Sequence, residues 1–97
     1  MRQAKQKRLL TQLLNRITTN GQMDLKKIPL LSKIERETLV LAIVRDRQPV
    51  VKDLIPEIEG EYLGYKSFRA WMFAMGYTET TEGSRYTFVH LSSHKIR

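Results

Sequence analysis

The sequence predicts a mainly α-helical domain that ends in a small β-hairpin, and three observations carry that prediction. Apolar residues recur at helical spacing in two separate stretches, 9–17 and 68–75. A Ser-x-x-Glu step, Ser32 to Glu35, opens a third stretch that is apolar on most sides. After Gly76 the pattern changes to two short runs of β-type residues around Glu82-Gly83-Ser84. Ninety-seven residues suit a single domain, with a core that is small but sufficient for independent folding.

The first element is an amphipathic helix from about Gln3 to Thr18. Leu10, Leu13, Leu14 and Ile17 follow i, i+3, i+4, i+7 spacing, Leu9 widens the stripe, and Asn20-Gly21 stops it. Its first turns carry Arg2, Lys5, Lys7 and Arg8, cations that oppose the helix dipole instead of complementing it. Residues 21–31 read as a connector with a short helical turn. Ser32 and Glu35 then form a capping box, with Pro29 just upstream. Ile34, Leu39, Leu41, Ala42, Ile43 and Val44 make the helix that follows, to about Arg45, the central one of the domain. Pro49 breaks that helix, and Val50 and Val51 form a very short extended piece. A brief helix to about Ile58 comes next, limited by Pro56. Gly60 and Gly64 bracket a turn. Phe68, Trp71, Met72 and Met75 give a helix from about Lys66 to Met75, ended by Gly76. The hairpin closes the domain near residue 91, and a polar basic tail follows over 92–97.

Hydrophobic residues make up 41% of the chain and charged residues 28%, which suits a soluble globular protein and excludes wholesale disorder. No apolar run approaches the roughly 20 residues that span a bilayer, so no membrane association is expected. Thr11, Gln12, Asn15 and Arg16 interrupt the first apolar stretch, which therefore does not read as a signal peptide. Without cysteine, neither a disulfide framework nor a thiolate metal site can form, and a cytoplasmic setting fits. The net charge is +7 and the isoelectric point about 10.0, which points to an acidic partner. Residues 1–27 carry +6 of that charge, 28–60 carry −1 and 61–97 carry +2. The basic character belongs to the N-terminal arm.

Catalysis is not expected. His90 and His94 are the only histidines, and a strand end does not hold His-x3-His in metal-binding geometry. No Gly-rich phosphate loop or nucleophile elbow occurs, and acid pairs such as Glu57 and Glu59 suit solvated turns. No cofactor or metal is implied.

From residue 32 onwards, the order of helix, short strand, short helix, turn, helix and β-hairpin resembles a winged helix-turn-helix domain. The resemblance covers residues 32–91, with the basic helix and connector of 1–31 added in front and the tail of 92–97 behind. Within that family, "LGYKSFRAWM" is similar to the LOTUS (OST-type) winged helices. Those show a Leu-Gly-aromatic step before their third helix, and some bind RNA or a helicase partner. The resemblance implies that the helix around 66–75 enters a major groove. Lys66, Ser67 and Arg69 would then meet base edges and phosphates, and Arg85 on the wing would reach a phosphate.

At about 100° per residue, Phe68, Trp71, Met72 and Met75 share one face of this helix. They are expected to pack on Leu39, Ile43, Leu54 and Ile58. Lys66, Arg69, Ala70 and Phe73 lie opposite, and Phe73 marks either a protein contact or a surface covered by the N-terminal helix. Asp53, Glu57, Glu59 and Glu61 sit where acids would repel phosphates, and residues 28–97 carry only +1. The first expectation is a DNA-binding transcriptional regulator that grips phosphates through Arg2, Lys5, Lys7 and Arg8. The alternatives are a protein-binding adaptor or inhibitor module, and RNA binding. The stripe of Leu10, Leu13, Leu14 and Ile17 must pack on its own domain or on a second copy, and a homodimer is expected.

Overall fold

Two antiparallel helices, a short third helix and a three-stranded sheet enclose one apolar cluster. The computed structural model describes residues 2–80 and 85–94, with side chains between residues 8 and 92 in those ranges. Helix α1 spans Arg2–Arg16 and helix α2 spans Lys33–Arg45. Arg16, at the end of α1, meets Glu35 in the first turn of α2 at 2.8 Å. Leu9 and Leu10 lie beside Leu41 and Arg45, towards the other end of α2. Leu13 and Ile17 enter the same buried cluster as Leu39, Val40, Leu54, Phe68 and Met72. The inner part of the stripe thus packs within its own chain, while Leu9 and Leu14 stay exposed. Of the four residues expected at a dimer interface, Leu13 and Ile17 are buried, Leu10 is partly buried and only Leu14 is exposed.

The expected connector holds a second, two-stranded sheet. Strand β1, Thr18–Thr19, pairs antiparallel with β2, Gln22–Met23. Asn20 and Gly21 turn between them at φ 55° and 80°. A two-residue hairpin whose twist matches its strands needs positive φ at both central positions, and Asn-Gly adopts that most readily. A 3-10 turn over Leu25–Leu30 follows, capped by Asp24, whose carboxylate accepts from the Lys26 N–H at 3.0 Å. It buries Ile28.

The capping box of α2 forms as its spacing predicts. The Ser32 hydroxyl accepts from the Glu35 N–H at 3.1 Å, and Glu35 Oε1 accepts from the Ser32 N–H at 2.8 Å. Glu35 Oε2 takes the Arg16 guanidinium, so one carboxylate ties α1 to the start of α2. The Ser32 backbone bond, and after it Arg16, hold the Glu35 carboxyl below its ordinary value of 4.5. A carboxyl depressed by folding stabilises fully above its unfolded value, and that contribution is lost as pH falls through the folded one. Glu35→Gln keeps a capping amide but no charge. The parent's advantage over this variant in urea unfolding is therefore expected to be constant near neutral pH and to vanish below the ordinary carboxylate range. A pH-independent difference would assign the effect to packing.

At its other end, α2 stops in a Schellman arrangement. The Arg47 N–H reaches the Val44 carbonyl at 3.0 Å and the Gln48 N–H reaches the Ile43 carbonyl at 3.1 Å. Arg47 stands at φ 58°, where glycine is the usual occupant. A side chain in the left-handed region costs roughly 1–2 kcal/mol. Arg47→Gly is accordingly expected to raise unfolding stability by about 1 kcal/mol, after allowing for the entropy of glycine. A lower midpoint in urea would show that the arginine side chain stabilises the fold.

Strand β3, Val50–Val51, leads into a single 3-10 turn, Lys52–Leu54, and not into the helix expected to reach Ile58. Pro56 accounts for the difference. It has no N–H to donate, it is buried, and it holds Ile55 extended at φ −64° and ψ 119°. Helix α3 is Phe68–Ala74, shorter at both ends than Lys66–Met75. Phe68, Trp71 and Met72 are buried as expected, but Met75 is the C-cap and is exposed, because the helix ends before its side chain turns inward. Ile43 and Ile58 are only partly buried against the cluster.

Strands β4, Tyr77–Glu79, and β5, Tyr86–His90, form the predicted hairpin, and the turn at Glu82-Gly83-Ser84 lies outside the described residues. β5 also pairs with β3, giving an antiparallel sheet in the order β3-β5-β4. The chain is a small α+β protein with two antiparallel sheets, more β structure than one hairpin. Among the described residues, no helix is long and apolar enough to cross a membrane.

Candidate functional site

The residues expected to read a ligand from α3 have other work. Ser67 is the N-cap, and its hydroxyl accepts from the Ala70 N–H at 3.0 Å. Arg69 bonds Glu79 of β4 at 2.8 Å, with their side chains 64% and 38% exposed. Such a half-solvated pair adds little stability. It does place a carboxylate beside the one arginine of α3, where an incoming anion would compete with it. Lys66 is exposed and has no partner among the described residues. Phe73 is 48% exposed and meets Phe88 edge-on at 6.2 Å, so α1 does not cover it. Arg85 is exposed and lines a groove of about 490 Å³ with Leu14, Met23, Val51 and Tyr86, none of them in α3. Asp53, Glu57, Glu59 and Glu61 are all exposed.

The other aromatic residues are largely structural. Tyr62, Phe68 and Trp71 form a triangle with centroids 5.0, 5.2 and 5.5 Å apart. The Tyr62 hydroxyl donates to Glu37 at 2.8 Å, and burial, reinforced by Glu37, pushes its phenol upward. The Tyr77 hydroxyl donates to the Gln48 carbonyl at 2.8 Å, and burial, reinforced by Asp46, pushes it up to about 12. Both phenols stay protonated through neutral pH and act as pins between segments. His90 is packed as well: its ring meets Tyr77 edge-on at 5.1 Å and its Nδ1 lies 2.8 Å from the Ser92 hydroxyl. The His94 side chain lies outside the described residues.

Among the N-terminal cations, Arg8 is exposed. Arg2, Lys5 and Lys7 belong to the first turns of α1, and their side chains lie outside those described. Sequence reasoning missed Arg45 and Arg47. Both are exposed and line a groove of about 450 Å³ with Leu41, Trp71, Met75 and His90. Arg45 also lines an adjoining groove of about 320 Å³ with Leu9, Leu10 and Thr38. Among the described lysines and arginines, only Arg16 and Arg69 are ion-paired. Arg8, Lys26, Lys33, Arg45, Arg47, Lys52, Lys66 and Arg85 are exposed without an acidic partner. Compared with known proteins, the chain matches no family model, and no curated protein or solved structure is significantly similar to it.

Proposed function

We propose that this protein is a small winged-helix module that binds duplex DNA mainly through its phosphates. One observation carries the reading: a capped helix, a short strand, then α3 and a hairpin whose second strand pairs back to the first, in the order β3-β5-β4. The surplus of exposed, unpaired cations supports it, since phosphate neutralisation releases counterions and supplies most sequence-independent affinity. Base reading is the weaker part. Ser67 is committed to its cap and Arg69 to Glu79, which leaves Lys66 as the free cation of that helix region. Arg2, Lys5, Lys7 and Arg8 are assigned the phosphate contacts, with Lys66 and Arg85. A transcriptional regulator is the narrower form of this reading and requires a preferred site.

The test is binding of random-sequence duplex across a salt series, followed by enrichment of preferred sites. Affinity is expected to fall steeply with salt, and neutralising Arg2, Lys5, Lys7 and Arg8 to flatten log affinity against log salt by about 0.9 per lost contact. No binding at about 50 mM salt would remove the reading. A protein-binding adaptor would then take its place, favoured by Leu63. That residue is 62% exposed at the tip of the tight Tyr62–Tyr65 turn and held at φ 47°, an uncommon place for a bulky side chain.

A further inference from the structure

We propose that Arg45 and Arg47, which close α2, form a second phosphate-binding surface that takes the backbone of duplex nucleic acid. The inference rests on the nucleic-acid reading above but assigns contacts to cations at the end of α2 and not to those of α3 and the hairpin.

Packing brings the pieces together. Because α1 and α2 run antiparallel, the basic start of α1 lies towards the end of α2 that carries Arg45 and Arg47. Arg45 borders both grooves at this end, one shared with Leu9 and Leu10 of α1 and one shared with Arg47. Among the described residues, no carboxylate lines either groove. Asp46, between the two arginines in sequence, lines a different groove with Leu14, Leu39 and Gln48. The described lining of both grooves is therefore cationic, with Asp46 the nearest acid in sequence.

Helix energetics explain only half of it. A cation in the last turn of a helix complements the dipole, which accounts for Arg45. Arg47 lies beyond the helix, in a left-handed conformation that favours glycine, and among the described residues it makes neither an ion pair nor a side-chain hydrogen bond. Among the described residues, no polar contact of its side chain offsets that strain. A guanidinium suits phosphate because its donors match paired oxygens.

The chemistry of the groove also selects the form of the nucleic acid. Single strands are held by bases stacked on exposed aromatic faces. Trp71, the aromatic ring in the indole class at this groove, is 6% exposed and offers no such platform, while the His90 ring packs against Tyr77. Phosphates without bases describe a duplex backbone.

The experiment follows fluorescence anisotropy of a short labelled random-sequence duplex, with the full chain, across a salt series. Arg45→Gln/Arg47→Asn removes both charges, and asparagine tolerates positive φ, so the variant should fold. Its plot of log affinity against log salt is expected to be shallower than the parent's by about 1.8, that is about 0.9 for each lost contact. Arg45→Lys/Arg47→Lys should restore the slope. An unchanged slope in the neutral variant would overturn this surface while leaving the duplex reading in place. Failure of the parent to bind at low salt would overturn both. Tighter binding of a single-stranded probe than of the duplex would overturn the duplex assignment.

Discussion

Trp71→Ala is expected to remove about 3–5 kcal/mol of stability, the usual loss when a large buried aromatic is truncated. Trp71 is 6% exposed and meets the Tyr62 and Phe68 rings at 5.2 and 5.5 Å. Its removal leaves a cavity between α3 and the segment before it, and takes ring-edge contacts from both neighbours. Domains of this kind have only about 5–15 kcal/mol in total, so the thermal transition should broaden or disappear. A variant that melts like the parent would mean that the aromatic triangle is not the centre of the core.

Gly76→Ala is expected to be the next most damaging change, for two separable reasons. Gly76 stands at φ 91°, where a side chain strains the backbone by about 1–3 kcal/mol. A Cβ there would also lie 2.8 Å from His90 Nε2. The His90 ring cannot retreat easily, being packed on Tyr77 and engaged with Ser92. The Gly76 carbonyl accepts from the Leu91 N–H at 2.8 Å, so backbone movement would strain the sheet as well. Adding His90→Ala should relieve the steric part and leave the backbone part, a coupling readable from a double-mutant cycle. Strict additivity of the two substitutions would show that no clash occurs.

The elements that periodicity describes were legible before the structure. Leu13 and Ile17 fix the buried edge of α1, the Ser32–Glu35 box starts α2, and Phe68, Trp71 and Met72 orient α3. Asn20-Gly21 is a strong hairpin signal, but Thr18–Thr19 and Gln22–Met23 are too short and polar to show an alternating pattern. The stretch after β3 misled because Asp53, Leu54 and Glu57 suit a helix locally, whereas Pro56 and the burial of the chain around it prevent one.

The candidate site was less legible, since its decisive contacts join different elements and follow no periodic spacing. Glu79 reaches Arg69 across the α3–β4 turn, and no local pattern marks the pair. Arg45 and Arg47 look like ordinary helix-end charges. Only the left-handed backbone of Arg47 and the antiparallel approach of α1 set them apart.

Whether phosphates bind this chain, and where, is read most directly from backbone amide chemical shifts during titration with a short random-sequence duplex. At low salt, shifts are expected over Arg45 to Gln48, in the first turns of α1, and at Lys66 and Arg85, all receding as salt is raised. Shifts confined to Leu63, Tyr65 and Phe73, or none at low salt, would contradict the phosphate-binding account.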